Sequence, residues 1–547
     1  MRAPLPTWLA ALAPLYVLAG AQAQSGEPHV FPLSACKVEQ VTGERDVPRG
    51  VFTRSRTESR AGLVATDLGS SFEHDGRLFF LFGDSAGGEA NADVLAWSGA
   101  RTPDELELSF HLDEHGHFRR LEVPGIESGA FEVPSYGISL DGKMFVVFTT
   151  DHSERVTMGR SVVAVSEDDG GRFERLFDLS TKRFVNVALA RARASEHERL
   201  PSEDCVFVWG SGRYRASSVR LAYAPSRRFS ERAALRYLAG FAGGRPRWSE
   251  VEDESVDLFD HPVVGELSVA WIAPLSRWVM LYNSPAPRGI VLRTAADPWG
   301  PWSEPEVVFD PWLDKGYAGF MHVSWKAARM DEFHDRGQED KWGGEYGPYL
   351  IPRFTRGDAS RCTLYFTMST WNPYQVVLMS VDVGRPSAQT AFRELRLLPG
   401  SAPFSTQGSE VVGFERNGLR HVRTYGQDGD RDQVVSQAIL QPEIGATLSF
   451  SVHGGHERIV LVRETKPPPE RIDDFPAFER ELLAGAFGRV VESVAGPGTN
   501  DVDVSVRWNL SRHAGARLRL YVVDASVDRW GFVSVSEMTL RLPTGAR

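Results

Sequence analysis

Residues 78–84 read Leu78-Phe-Phe-Leu-Phe-Gly-Asp84, an apolar run that ends in a glycine and a carboxylate. Runs of the same kind return four times, at residues 144–151, 205–211, 278–283 and 363–369. A second apolar run follows each one, at residues 94–97, 161–166, 219–223, 290–293 and 376–380. Five copies at intervals of roughly 60–85 residues, longer than the ~40–50 residues of simple blade repeats, predict five elaborated blades of a β-propeller.

The composition is that of an ordinary globular protein of 547 residues, with 42% hydrophobic and 24% charged residues. The length allows a propeller and one further domain. The net charge is −11 and no Lys/Arg-dense run occurs, so nucleic acid is not an expected partner. After the N-terminus no apolar run approaches the ~20 residues that span a bilayer.

A second domain is predicted after about residue 395, where the blade pattern stops. Residues 411–414, 446–452, 504–508, 517–523 and 532–535 are typical of strands in a β-sandwich. Residues 476–487 are a candidate short helix, because proline is tolerated in a first turn. We therefore predict a propeller over residues 24–395 and an accessory, jelly-roll-like sandwich over residues 400–547. Residues 36–41 are a candidate for the strand that closes the propeller.

The N-terminus is typical of an export signal, since an apolar stretch precedes the small-x-small site Ala21-Gln22-Ala23. We expect residues 1–23 to be a signal peptide, and the mature chain to be secreted or periplasmic and to begin at Gln24. A rival interpretation is a lipoprotein acylation box at Leu33-Ser-Ala-Cys36. It would leave a lipid-modified Cys36 as the first residue, which mass spectrometry of the native protein distinguishes from Gln24.

Carboxylates are predicted to gather at one end of the propeller channel. Where the first strand of a blade lines the channel, its start lies on the same side as the end of the second strand. Asp67 opens the first strand of blade one and Asp84 ends the second. The same rule places further residues at this channel mouth: Glu132, Asp151, Asn186, Glu266, Asn283, Glu345 and Trp371.

Paired carboxylates are the machinery of glycoside hydrolysis, in which one protonates the leaving oxygen and the other activates water or attacks the sugar. Crowded like charges raise the pKa of one member and keep it protonated. We predict Asp67, Asp84 and Glu266 as catalytic. Aromatic faces for sugar rings are expected from Tyr136, Trp325, Tyr346, Trp371 and Tyr374. The predicted substrate-binding residues are Glu132, Tyr136, Asn186, His322, Glu345, Tyr346, Trp371 and Tyr374.

Other chemistries find little support in the sequence. No His/Cys spacing suggests a zinc site, and no nucleotide-binding loop or nucleophile elbow occurs, so neither a metal nor a cofactor is expected. Residues 166–173 fit the Asp-box turn of sialidase-like propellers, which we interpret as architecture. A sialidase would also need an arginine cluster, and no arginine opens three successive blades. Three cysteines, Cys36, Cys205 and Cys362, argue against a disulfide framework.

Several motifs in order resemble one known family. They are Leu78–Asp84, residues 205–215, Gly265-Glu-Leu-Ser-Val269, residues 292–295, 300–303 and 346–349, and Ser369-Thr-Trp-Asn-Pro-Tyr-Gln-Val376. Over about residues 60–382 the chain resembles the bacterial DUF4185-type family, some of whose members are endo-D-arabinanases. The resemblance implies a five-bladed propeller and, as function, cleavage of arabinofuranose-containing polysaccharide in the D-arabinan of mycobacterial cell walls.

The C-terminal part separately resembles modules found beside secreted carbohydrate-active enzymes, through His453-Gly-Gly-His456, residues 498–503 and Trp508-Asn-Leu510. The expected partner is a polysaccharide or oligosaccharide, and the protein is expected to be a monomer. A non-catalytic, glycan-binding propeller is the alternative function. The distances among the carboxyl groups of Asp67, Asp84 and Glu266 discriminate between the two.

Overall fold

The protein is described by a computed structural model that covers most of the chain. The described residues are 31–87, 91–194, 203–311, 314–323, 341–359, 361–384, 392–416, 419–424, 432–443, 445–455, 457–510, 513–526 and 532–543. The predicted signal peptide and Trp325 lie outside these residues, so export stays a prediction. In the part of the chain described, no helix has the length and apolar character needed to cross a membrane.

The N-terminal segment consists of a long strand, a small hairpin and a one-turn helix. These are β1 (Phe31–Gln40), β2 (Arg45–Asp46), β3 (Val51–Phe52) and α1 (Thr57–Ala61).

Five antiparallel sheets follow, which we call blades one to five. Blade one contains β4 (Ala65–His74), β5 (Arg77–Ala86), β6 (Ala92–Ser98) and β7 (Ser109–Phe110). Blade two contains β8 (Pro134–Leu140), β9 (Lys143–Thr150), β10 (Arg160–Ser166) and β11 (Glu174–Ser180). Blade three contains β12 (Asn186–Ala192), β13 (Cys205–Ser211), β14 (Arg220–Pro225), β15 (Arg236–Ala242) and β16 (Arg245–Ser249).

The last two blades complete the propeller. Blade four contains β17 (Leu267–Ile272), β18 (Arg277–Pro285), β19 (Arg288–Ala295) and β20 (Glu306–Phe309). Blade five contains β21 (Glu345–Leu350), β22 (Arg356–Gly357), β23 (Arg361–Thr370) and β24 (Gln375–Gly384). Short 3₁₀ helices occur at Val47–Arg49, Pro103–Glu105, Ser226–Arg228, Arg232–Ala234, Glu252–Glu254, Ala273–Leu275 and Pro352–Phe354.

The first strands of the five sheets form a closed cycle. Strand β4 contacts β8, β8 contacts β12, β12 contacts β17, β17 contacts β21, and β21 contacts β4 again. The N-terminal strand β1 pairs antiparallel with β24 and so becomes the outer strand of blade five. Strands from the two ends of the propeller region therefore close it, in the place where the sequence suggested a closing strand.

Strand β5 shows why the repeated run is continuously apolar. Its alternate side chains point to opposite faces of the sheet. Phe80 and Phe82 belong to a buried cluster with Val376 of blade five, whereas Phe79 and Leu81 belong to another with residues of blade two. Because both faces of each blade are covered by neighbours, the strand has no solvent face and no alternation of polar residues.

Two sheets of a β-sandwich form the C-terminal unit. The strands are β25 (Phe392–Leu397), β26 (Ser405–Gly408), β27 (Val412–Arg416), β28 (Leu419–Arg423), β29 (Val434–Leu440), β30 (Thr447–Gly454), β31 (Arg458–Glu464), β32 (Gly488–Ala495), β33 (Thr499–Asn509), β34 (Leu518–Asp524), β35 (Val533–Ser536) and β36 (Met538–Pro543). The larger sheet has the order β25-β36-β30-β35-β28-β27, with β33 also on β30, and the smaller β26-β29-β34-β31-β32. Helix α2 (Phe475–Leu483) begins with Pro476 in its first turn. The all-β prediction of a propeller followed by a sandwich is confirmed.

The sandwich begins earlier than the predicted domain limits of 395 and 400. Strand β25 pairs with β36, and Leu397 packs in the sandwich core. The Pro- and Gly-containing residues 398–403 looked like a linker because of their composition. They are instead a turn inside the sandwich, where the N–H of Ser401 donates to the carbonyl of Leu398.

The Asp-box at residues 166–173 has the architectural role that we predicted. Asp168 Oδ1 accepts hydrogen bonds from Ser166 Oγ at 2.8 Å and from the N–H of Arg172 at 2.8 Å. The N–H of Gly170 donates to Ser166 Oγ at 3.0 Å, and Phe173 is buried. The motif fixes a turn between β10 and β11.

Candidate active site at the channel mouth

Asp67 lies near the start of β4, where the strand departs from regular pairing with β5. The register shifts between Ala65 and Asp67 and again between Leu68 and Ser70. Such bulges re-aim side chains and occur often beside functional sites. The hydroxyl of Thr66 holds the two strands together here by donating to the carbonyl of Gly83 at 3.1 Å. The bulge therefore sets the direction of the Asp67 carboxyl.

The Asp67 carboxyl is buried and in contact with two tyrosines of blade five. The Tyr346 hydroxyl donates to Asp67 Oδ2 at 2.9 Å. The pKa of Asp67 is raised well above its ordinary value by burial and then by the negative charge of Asp84, with a smaller contribution from Glu266. Hydrogen bonding from Tyr374 and Tyr346 opposes this rise only partly. Burial and the neighbouring charge therefore favour the protonated form of Asp67.

Asp84 ends the apolar run of β5 in an unusual backbone conformation, with φ of 45°. Gly83 precedes it, and a Cβ at that position would lie 2.6 Å from Val133 of blade two. The Asp84 carboxylate accepts the backbone N–H of Phe131 at 3.1 and 3.2 Å. Burial raises the pKa of Asp84 to about 6, although the Phe131 bond and nearby His152 lower it. This carboxyl titrates close to neutrality.

Glu266 immediately precedes β17 and is buried beside blade three. It too follows a glycine, because a Cβ on Gly265 would lie 2.1 Å from the Asn283 side chain. The Arg215 guanidinium donates to Glu266 Oε1 at 3.4 Å and to Oε2 at 3.2 Å. An ion pair thus holds this second carboxylate at the mouth.

Arg215 links the two carboxyl groups through an aromatic ring. Its guanidinium carbon lies 4.7 Å from the ring centre of Tyr214 and 5.7 Å from that of Tyr346. Tyr346 in turn donates its hydroxyl to Asp67. Burial lowers the pKa of Arg215, but attraction to Glu266 outweighs this effect. The net pKa is raised, so the guanidinium stays positively charged. The chain Asp67–Tyr346–Arg215–Glu266 joins blades one, five, three and four.

Three predicted binding residues are occupied by structural contacts. Glu132 accepts the backbone N–H of His152 at 2.9 Å, and the Asn186 amide donates to the carbonyl of Gly212 at 3.3 Å. Tyr136 is buried on β8, with its ring 6.2 Å from that of Tyr349. The expectation that Tyr136 and Tyr346 offer free faces to sugar rings is wrong, because both rings are buried beneath the mouth.

Three further predicted residues lie around blade five, and Asp151 lies in blade two, directly after β9. Glu345 is buried, 3.5 Å from the Arg288 guanidinium, and burial raises its pKa despite that cation. His322 is buried, whereas Trp371 is exposed. Asp151 is paired with Arg160 at 2.7 Å.

Two residues at the mouth were missed by sequence reasoning. Arg215 lies in the loop after β13. The sequence analysis considered arginines only at the starts of blades, where a sialidase would need them. Asp93 lies on β6 and is buried, and its pKa is raised well above normal by burial and by repulsion from Asp84. A carboxylate between Ala92 and Val94, in an otherwise apolar strand, could have indicated Asp93 as a candidate site residue.

Among the described residues, one group of side chains has metal-ligand spacing: His74, Asp75 and Asp169. It lies in the hairpin at the far end of β4, away from the mouth. His74 contacts Ser139 Oγ at 2.8 Å through Nδ1 and Asp169 Oδ1 at 3.0 Å through Nε2. Both ring nitrogens therefore serve the contact between blades one and two.

The fold and the site define a β-propeller protein with a ring of carboxyl groups at one channel mouth. A family model described as a domain of unknown function, DUF4185, matches residues 53–380. The chain belongs to the DUF4185 family, as its motifs indicated. No protein of curated function matches the sequence.

Solved structures of glycoside hydrolases are similar to this chain at low identity. An exo-β-1,3-galactanase from Phanerochaete chrysosporium with galactose is 8% identical, with a TM-score of 0.37, over 92% of this chain and 100% of that one. A GH43_1 enzyme from Xanthomonas citri with xylotriose is 13% identical, with a TM-score of 0.33, over 59% and 86%. A β-xylosidase/α-arabinofuranosidase from a compost metagenome is 12% identical, with a TM-score of 0.34, over 64% and 95%.

Proposed function

We propose that this protein is a glycoside hydrolase that cleaves arabinofuranose-containing polysaccharide, in the manner of an endo-D-arabinanase. The observation that carries the proposal is the contrast between two carboxyl groups at one mouth. Asp67 is buried against Tyr346, and burial raises its pKa, whereas Glu266 is ion-paired with Arg215. The arabinan substrate is supported by the resemblance to DUF4185-type endo-D-arabinanases.

Asp67 supplies the proton in this mechanism. A general acid must be protonated at working pH and must give its proton to the glycosidic oxygen as the bond breaks. Burial and the charge of Asp84 keep the proton on Asp67, and the Tyr346 hydroxyl at 2.9 Å fixes its Oδ2. Protonation of the leaving oxygen makes the departing sugar a neutral alcohol.

Glu266 acts on the other side of the bond, either by attacking the anomeric carbon or by activating water. Arg215 positions its carboxylate through two contacts of 3.2 and 3.4 Å. Asp84 either raises the pKa of Asp67 through its charge or is itself the second working carboxylate. The variant Asp84→Asn separates these two roles.

The function is tested by incubating the purified protein with mycobacterial arabinogalactan and plant L-arabinan side by side, followed by sizing of the products. We expect oligosaccharides from arabinogalactan and little release from L-arabinan. Retention of the protein by arabinogalactan without products would support the alternative of a non-catalytic glycan-binding propeller. Products from neither glycan and no binding would contradict the proposed substrate.

The pH dependence of activity should shift when Asp84 is replaced by asparagine. The negative charge of Asp84 raises the pKa of Asp67, so its removal lowers that pKa. Activity that needs protonated Asp67 is lost as pH rises through this pKa. The alkaline limb of the kcat/KM profile should therefore move to lower pH in Asp84→Asn. A collapse of turnover at every pH would instead make Asp84 the second working carboxylate.

A further inference from the structure

Two tryptophans are exposed on the rim of the channel mouth beside blade five. Trp371 is 47% exposed and Trp342 is 38% exposed. Over the described part of the chain, no other tryptophan reaches this level of exposure. Tryptophan is a large ring with a polar N–H, and it is enriched at binding interfaces.

A backbone hydrogen bond joins the segments that carry these two side chains, and a third aromatic ring packs against one of them. The N–H of Trp371 donates to the carbonyl of Gly344 at 2.8 Å, two residues after Trp342 in the chain. The Trp342 ring packs edge-on against Tyr317 with ring centres 5.0 Å apart. The two tryptophans therefore lie on neighbouring backbone segments of the rim, and we call them, with Tyr317, the aromatic surface.

Polar groups of blades four and five border this surface. The Arg288 guanidinium lies 3.5 Å from Glu345 and donates a hydrogen bond to the Tyr317 hydroxyl, which donates to the carbonyl of Gly343 at 3.2 Å. Arg288 is exposed, whereas Glu345 is buried. The charges of this pair offset each other, and the nearby mouth carries Asp67, Asp84 and Glu266. Such a border suits the hydroxyl groups of an uncharged sugar better than an anionic one.

The aromatic surface is also connected along the chain to residues that contact Asp67. Trp371 and Tyr374 belong to the same short turn between β23 and β24, and Tyr374 hydrogen-bonds towards Asp67. On the neighbouring strand, Glu345 directly precedes Tyr346, which contacts Asp67. The aromatic surface is thus adjacent to the catalytic carboxyl groups without containing them.

We propose that Trp342 and Trp371 form a stacking subsite for a sugar residue beyond the cleaved bond, in an uncharged polysaccharide chain. This inference rests on the proposed hydrolase function. A subsite outside the reacting pair binds a continuing chain, so it favours a polymer over a single sugar residue as substrate. The ring faces stack on the sugar, and the exposed Arg288 binds its hydroxyl groups.

The test compares a long and a short substrate in Trp371→Ala and Trp342→Ala. On mycobacterial arabinogalactan, kcat/KM should fall by about two- to tenfold, the loss expected for one aromatic stacking contact. On an aryl arabinofuranoside, which cannot reach the subsite, it should be unchanged. Phe241→Ala, an exposed aromatic (54%) on the outer strand β15, is the matched control and should affect neither. Equal losses on both substrates, or none on the polymer, would overturn the proposal.

A binding measurement keeps this inference separate from the proposed function. In gels containing arabinogalactan, the Asp67→Asn protein should be retarded, and the added Trp371→Ala change should remove the retardation. If the wild-type protein hydrolyses nothing, the hydrolase function fails, but this retardation still decides the subsite. Absence of retardation in Asp67→Asn, or retardation that Trp371→Ala leaves intact, would overturn it.

Discussion

Asp67→Asn should reduce kcat by about 100- to 10,000-fold, the usual contribution of general acid–base catalysis. Asparagine has the shape of the protonated acid but cannot give up a proton. Its side-chain oxygen can still accept the Tyr346 hydroxyl, so the site should keep its geometry. Glu266→Gln should cause a loss of the same order, because an amide can neither attack the anomeric carbon nor activate water.

Folding should survive Asp67→Asn. An acid whose pKa is higher in the folded than in the unfolded state stabilises the protein at low pH, and that contribution is lost as pH rises. Asp67 is such a group, so a neutral amide should leave the melting temperature at pH 7 unchanged or slightly higher. Asp75→Asn, in the hairpin at the opposite end of β4, is the control and should keep full turnover. Unchanged kcat in Asp67→Asn would disprove the assignment.

The propeller could be predicted from sequence because each blade contains a strand of the same kind, which is buried on both faces. A strand covered on both faces must be apolar throughout, as Phe79 to Phe82 are, and a carboxylate at its end then stands out. A glycine directly before the carboxylate, as at Gly83–Asp84 and Gly265–Glu266, is part of the same sequence pattern. Both positions lack room for a Cβ, since Val133 and Asn283 occupy the space.

The rest of the site depends on contacts between blades that no local pattern records. Arg215 reaches Glu266 across 51 positions of sequence, and Tyr346 reaches Asp67 across 279. Tyr136 and Tyr346 were expected to stack on sugar because they are aromatic and near the mouth. Whether a ring there is exposed, like Trp371, or buried, like Tyr136, depends on how neighbouring blades pack. The domain limit was misplaced for a similar reason, because β25 is defined by its partner β36 and not by composition.

Removal of the closing strand should have the largest effect on stability. A chain that begins at Val41 lacks β1, which pairs with β24 through eight residue pairs from Phe31–Gly384 to Gln40–Val377. Ala35 of this strand also packs in a buried cluster shared by blades four and five. Backbone hydrogen bonds contribute about 0.5–1.5 kcal/mol each, so the loss is comparable with a total stability of about 5–15 kcal/mol. In calorimetry we expect the cooperative melting transition of the propeller to be lost, whereas the sandwich, which has its own core, should keep its transition.

The matched control is a chain that begins at Phe31 and so keeps the whole strand. It should melt cooperatively at the temperature of the chain that begins at Gln24, because its pairing with β24 is intact. Lipoprotein processing would give a third chain, beginning at Cys36 and lacking the partners of Gly384, Val383, Asp382 and Val381. Its stability should fall between the other two, since half of the ladder is lost. A cooperative propeller transition of unchanged midpoint in the chain beginning at Val41 would show that the first strands alone hold the ring together.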